Sequence, residues 1–333
     1  MSEPNRKTAR LEDVARLAQV SSATVSRYFN SPDVVAERTA KRIEDAIGRL
    51  GYVPNLMAGG LASNRSKLVA VFVPEIAHSL FNDAIEEMVD GLSAQGYSVM
   101  LAMTRANNAR LSKLVDMALG RRVDAVILTG VVSDRETRDK LRSHNVTTIE
   151  TWGLPADPID VAVGFSHREV GRETARFARA KGYNRPFLVS ASGGRGEARR
   201  IGFEDAWTDA GGTKPGGVEV STPTSFAQGF EVFQTIRAQD PMPDLIVCAS
   251  DWLALGVLFA AREAGLQVPG DLAVIGFGNL SIAAEMRPAI TSVNIDGELL
   301  GRQAAEVLRR KALGEDVPRH TDVGFRIIER DSA

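Results

Sequence analysis

Leu11-Glu12-Asp13-Val14-Ala15-Arg16-Leu17-Ala18-Gln19-Val20-Ser21-Ser22-Ala23-Thr24-Val25-Ser26-Arg27 decides how the first part of the chain is read. Leu11, Val14, Ala15 and Ala18 fall on one face of a helix of period 3.6, and after a break Val25 and Phe29 resume that spacing. Ser21 stands where a second helix must begin, since its hydroxyl can accept from an N–H of the first turn. Asn30-Ser31-Pro32-Asp33 supplies turn chemistry. Ile43, Ala46, Ile47 and Leu50 then mark a third helix, closed by Gly51 and kept from continuing by Pro54. Helices this short are unstable alone, so residues 1–54 are expected to form one three-helix unit.

The short hydroxyls of Ser21, Thr24 and Ser26 suit a helix that enters the major groove by its N-terminal end, where they can meet phosphates or base edges. Residues 1–66 hold ten Lys/Arg against seven Asp/Glu, a net +3, in a chain of net −2, so the remainder carries −5. A mildly basic head on an acidic body is the sign pattern of a DNA-contacting module on a body that DNA repels.

The quoted stretch resembles the head of the lactose-repressor (LacI/GalR) family, whose pattern runs DVA, a turn, then VSxxTVSR. The likeness continues through Asn30, residues 37–50 and Gly51-Tyr52-Val53-Pro54-Asn55. It departs at the turn, where Gln19 replaces the family's usual Gly and makes a left-handed backbone less comfortable. The resemblance implies DNA contacts from Ser21, Ser22, Ala23, Thr24, Ser26, Arg27, Asn30, Tyr52 and Asn55. In it Ser22 (or a second cap) and Ala23 are base readers, with Ala23 on a thymine methyl, and Arg27 takes a guanine bidentately or clamps a phosphate. It also places a hinge at residues 55–66, where Ala58 and Leu61 enter the minor groove and Leu61 wedges a base step. Gly59 and Gly60 weaken that hinge as a helix by about 0.8–1 kcal/mol each, so it is expected to order only on DNA; the plainer reading is a flexible linker.

From Leu68 the pattern changes. Short β-rich runs at 68–73, 97–103, 125–129, 147–151, 161–165, 186–190, 245–249 and 272–276 alternate with helical segments at 83–95, 109–119, 169–181, 199–210, 228–238, 252–264 and 297–313. Such alternation implies parallel sheets with right-handed crossovers, and eight or nine strands over this length are best divided between two doubly wound lobes. Ligands of open α/β sheets bind beyond the carboxyl ends of the strands. The polar residues there include Glu75, Glu150, Trp152, His167, Ser192 to Arg199, Ser250 and the turn at Gly278.

This body also resembles the same family, and with it the periplasmic-binding-protein fold. The resemblance is carried by Val161 to Phe165 with Gly171, Arg199 to Phe203, Ser250-Asp251 with Ala254-Leu255-Gly256, Val268 to Phe277, Ile290 to Val293 and Phe325 to Arg330. It implies an all-α helix-turn-helix head on an α/β core, residues 67–333. Lobe 1 would span about 67–165 and 294–322, lobe 2 about 166–293 and 323–333. It implies an effector site at Arg199, with Ser250 as a polar contact and Phe81 and Trp152 as stacking walls or plain core. Asp251 either shares that site or caps the helix after it, and Arg199's plainer reading is a surface ion pair. Gly278-Asn279 stands where the family often has an Asp that binds sugar hydroxyls.

Within the family, Arg27-Tyr28-Phe29 with Pro32, Phe81, Ile149-Glu150 and Pro158 to Phe165 point to gluconate-type repressors. A sugar acid would give Arg199 a carboxylate and leave Glu150 and Glu75 to accept from hydroxyls. A cytoplasmic homodimer on a pseudo-palindromic DNA operator, responding to a sugar or sugar acid, is the resulting expectation; no membrane partner and no cofactor are foreseen. Cys248 is the one cysteine, and its apolar neighbours suggest a buried thiol. Four scattered histidines, no Gly-x-Ser-x-Gly elbow and no Walker loop speak against an enzyme. Gly193-Gly194-Arg195-Gly196 lacks a phosphate fingerprint and reads as a mobile loop of the binding site. A sugar receptor without gene control is the alternative, and a NAD-dependent oxidoreductase a distant third.

Overall fold

A computed structural model describes residues 9–53, 66–74, 80–104 and 110–333. The chain divides into two compact units, Met1–Lys67 and Leu68–Ala333. Asn55, Ala58, Leu61 and Glu75 lie outside the described residues, as do Pro54, Gly59, Gly60 and the side chain of Asn30.

In the head, α1 (Leu11–Ala18), α2 (Ser22–Asn30) and α3 (Glu37–Leu50) enclose a small core of Val14, Ala15, Ala18, Val25, Ile43, Ala46 and Tyr52. Ser21 caps α2, its Oγ accepting from the Thr24 N–H at 3.1 Å. Gln19 closes α1 in the left-handed region at φ 53°, a conformation that costs an L-residue about 1–2 kcal/mol. The Arg42 guanidinium compensates by donating to the Ala18 carbonyl and, at 2.8 Å, to that of Gln19. Gly51 ends α3 at φ 57°.

The second unit holds two six-stranded sheets. In chain order its elements are β1 (Leu68–Val73), α4 (Asn82–Ala94), β2 (Ser98–Met103), α5 (Leu111–Gly120), β3 (Ala125–Thr129), α6 (Arg135–Ser143), β4 (Thr147–Thr151) and β5 (Val161–Gly164). Next come α7 (His167–Ala180), β6 (Pro186–Ala191), α8 (Gly194–Asp209), β7 (Gly216–Val220), α9 (Phe226–Arg237), β8 (Leu245–Cys248), α10 (Asp251–Glu263) and β9 (Ala273–Phe277). The last are α11 (Ser281–Glu285), β10 (Thr291–Asn294), α12 (Gly297–Ala312), β11 (His320–Asp322) and β12 (Arg326–Ile328). The first sheet runs β11-β5-β4-β3-β1-β2, all pairs parallel; the second runs β12-β10-β9-β8-β6-β7, parallel except for β12. Each sheet is buried on both faces: α4 and α12 cover one face of the first with α5 and α6 opposite, and α9 and α10 cover one face of the second with α7 and α8 opposite. The chain passes between the sheets three times, after β5, β10 and β11, and the residues after strands of the first sheet, Trp152 and Phe81, meet His167 and Arg195 of α7 and α8 beside the second.

Several elements exceed the sequence reading. α6 is strongly polar, but its N-cap Asp134 accepts from the Thr137 N–H at 2.8 Å and Leu141 is buried. β7, β10, β11 and β12 are short; of these β7, β11 and β12 are edge or near-edge strands with weak alternation. The expected loop at Gly193 to Gly196 is instead the start of α8, with Gly193 at φ 97° as its cap and Gly196 lying against the Ala191 carbonyl.

Candidate functional site

Two surfaces carry the candidate site residues, one in each unit. On α2, Ser21, Ser22, Ala23 and Arg27 are exposed and Thr24 and Ser26 half-buried, while Val25 is fully buried between α1 and α3. The helical period therefore turns one row of short side chains and one guanidinium outward by anchoring the opposite row in the core. Ser21 and Thr24 share a hydroxyl hydrogen bond of 2.8 Å. Tyr52 is a core residue, 9% exposed and near Phe29, so any DNA contact from it is confined to its rim.

In the second unit, Arg199 is met by His167 after β5, Ala249 after β8 and the last residue of β9, Phe277. Arg199 sits in α8, partly buried, with its guanidinium 4.1 Å above the Phe277 ring. One nitrogen donates to His167 Nδ1 at 3.0 Å and the other approaches the Ala249 carbonyl at 3.4 Å. Among the described residues it has no carboxylate partner, which sets aside the surface ion pair. Burial, reinforced by the neighbouring Arg195 charge, pushes its pKa down to about 9, so the cation persists at neutral pH. Arg195 lies one turn earlier and stacks on Phe81 at 5.4 Å. His167 was only a loop residue in the sequence reading; no spacing signal marks it, because its partners come from 15 and 32 positions away.

Phe81 and Trp152 meet edge to face at 4.9 Å and are 7% and 2% exposed. They build the cleft wall with each other, not as two open stacking faces. Trp152 holds a left-handed backbone at φ 61°, and its Nε1, like Thr129 Oγ1, is buried without a hydrogen-bond partner among the described residues. Ser250, not Asp251, caps α10: its Oγ accepts from the Leu253 N–H at 3.3 Å and from Thr224 Oγ1 at 2.8 Å. Asp251 is fully buried, accepting from Ser292 Oγ at 2.6 Å and the Leu280 N–H at 2.7 Å; burial raises its pKa against those hydrogen bonds. Gly278, at φ 119°, packs beside both Asp251 and Leu80.

Glu150 requires a correction. It was expected to accept from ligand hydroxyls, yet it has no exposed surface. Its two oxygens accept from the Val132 and Ile159 N–H groups at 2.9 and 2.8 Å, with the Arg138 guanidinium 3.5 Å away. The carboxylate fixes the connections flanking β3 and β5, and its desolvation is offset by those donors. Beside Arg199, α7 and α8 approach so closely that a Cβ on Gly171 would stand 2.0 Å from the Arg199 carbonyl oxygen, and one on Gly202 2.0 Å from that of Arg168.

Comparison with known proteins agrees with this architecture. Residues 10–55 match the description "Bacterial regulatory proteins, lacI family" and residues 175–333 "Periplasmic binding protein-like domain". The chain is 33% identical to the HTH-type transcriptional regulator GntR of Pseudomonas aeruginosa, over 97% of this chain and 95% of that protein. It is 29% identical to GntR of Escherichia coli, over 97% and 98%. A solved LacI-family regulator from Silicibacter pomeroyi superimposes with a TM-score of 0.89 at 27% identity, covering 97% of this chain and 99% of that one. Among the described residues, no helix is long and apolar enough to cross a membrane.

Proposed function

The chain belongs to the LacI family of bacterial regulatory proteins, and from that premise we propose that it is an operator-binding repressor whose DNA affinity is set by a sugar acid bound in the cleft at Arg199. The observation that carries the ligand class is the half-buried guanidinium of Arg199, whose partners among the described residues are neutral, a histidine nitrogen and a backbone carbonyl. A planar fork left with such partners suits a carboxylate, which it can bind bidentately. The likeness to gluconate-type repressors read in the sequence, with the similarity to the GntR regulators named above, supports the same class. Phe81 and Trp152 would close one side of the site, with Ser250 and Gly278 near the hinge-like strand ends and Glu75 supplying a hydroxyl acceptor.

On DNA, the exposed row of α2 would read base edges, with two copies of the chain on a pseudo-palindrome, because two-fold protein symmetry requires two-fold half-sites. Ala58 and Leu61 of the hinge, with Asn55 before them, would occupy the minor groove. Ligand and operator would favour different settings of the two lobes, a coupling of about 1–3 kcal/mol.

Calorimetry on the full chain with gluconate, 2-ketogluconate and glucose tests the ligand class: the acids should bind and the neutral sugar should not. Binding only to neutral sugars would remove it. An unbiased duplex selection then supplies the operator, on which Arg27→Ala should cost about 1–3 kcal/mol and relax preference at one base pair. Equal loss on every duplex would reduce Arg27 to a phosphate contact.

A further inference from the structure

Arg199 does not stand alone in the cleft. A guanidinium offers only donors, so the 3.0 Å approach of its Nη1 to His167 Nδ1 requires a lone pair on that nitrogen. The ring hydrogen must then sit on Nε2, and Nε2 faces the Trp152 carbonyl at 2.9 Å. His167 is thus bonded on both sides: it accepts from an arginine of the second sheet's lobe and donates to the residue that follows β4 in the first. Its position is fixed independently by Ser166, which caps α7 by accepting from the Glu169 N–H at 3.2 Å, and by the rings of Phe165 at 4.6 Å and Phe277 at 6.5 Å. Burial, with Arg199 and Arg195 as the charges facing it, holds the imidazole well below its usual pKa and hence neutral.

Resting on the reading that an acid binds at Arg199, we propose that His167 is the positioning residue of this site: a neutral imidazole, protonated on Nε2, that aims the Arg199 fork at the ligand carboxylate and ties it to the end of β4. Recognition of the acid then depends on the setting of the two lobes, since the same ring is bonded to both. Removing the ring's acceptor frees the guanidinium to rotate, and ordering it again on binding carries an entropic cost.

The test uses the full-length chain, with gluconate and 2-ketogluconate as probes. His167→Phe keeps the ring shape among Phe165 and Phe277 but has neither donor nor acceptor, whereas His167→Gln keeps one of each. The Phe variant should bind the acids about ten- to one-hundred-fold more weakly and the Gln variant within about threefold of wild type, while melting temperatures of all three stay close. Nitrogen-15 shifts at neutral pH, assigned by the signal lost in the Gln variant, should show His167 with an unprotonated Nδ1 and a protonated Nε2. The proposal falls if both variants bind like wild type, if both lose affinity equally, or if the ring carries its hydrogen on Nδ1. If the wild type binds neither acid, the ligand reading itself falls and takes this role with it.

Discussion

Gly171→Val is expected to lower the melting temperature of the second unit by about 6–12 °C, corresponding to about 3 kcal/mol, and to abolish ligand response in whatever protein remains folded. The cause is backbone against backbone. α7 and α8 cross with Gly171 and Gly202 each facing a carbonyl of the other helix, and a Cβ at 2.0 Å from the Arg199 oxygen cannot be relieved by a side-chain rotation. The helices must separate, and α8 carries Arg199 away from His167 and Ala249 as it moves. Gly120→Ala provides the control: it is the last residue of α5 with nothing within 4 Å of the added carbon, so the change should be neutral or slightly stabilising. Differential scanning calorimetry on the two variants separates steric from generic effects. Equal melting temperatures would show that the α7–α8 crossing tolerates a wider spacing than this packing implies.

Arg199→Met should weaken acid binding about a hundredfold or more, because a bidentate charge-assisted pair is lost, while the ligand-free melting temperature stays within about 2 °C of wild type. The two halves have opposite physical origins. The arginine's pKa lies below its ordinary value in the folded chain through burial and the Arg195 charge, so its charge disfavours folding at every pH below about 9, and that cost fades only as the pH climbs beyond it. Removing the charge offsets the loss of its hydrogen bonds to His167 and Ala249. Thermal-shift curves with and without gluconate read both effects: the wild type should rise with ligand and the variant should not. A variant that still responds to gluconate would move the carboxylate site elsewhere in the cleft.

Much of the architecture is written in short-range patterns. The 3.6-residue spacing of Val14, Ala15, Ala18, Val25, Ile43 and Ala46 specified the head, and Ser21 and Gly51 marked helix ends where the structure has them. The apolar runs of β1, β3, β4, β5, β6, β8 and β9 were visible because central parallel strands are buried on both faces and read as continuous hydrophobic stretches. The edge strands β7, β11 and β12, the short inner strand β10 and the polar α6 went unseen, whereas β2, also at an edge, was marked by its apolar run. Arg199 was legible through its place in a recurring motif.

What only the tertiary structure decided is which polar groups are already spoken for. The resemblance placed the effector at Arg199 with Glu150 as an acceptor for its hydroxyls; folding buried Glu150 under two backbone donors and Arg138 and left Arg199 facing a histidine and a carbonyl. Ser250 took the capping role open to Asp251, Asp251 was buried against Ser292 and the Leu280 N–H, and His167 gained a role through contacts 15 and 32 residues away. Local periodicity sets elements because it acts within a few residues; hydrogen-bond partnership across a cleft is set by how strands and helices from distant parts of the chain come together, and no spacing in the sequence encodes it.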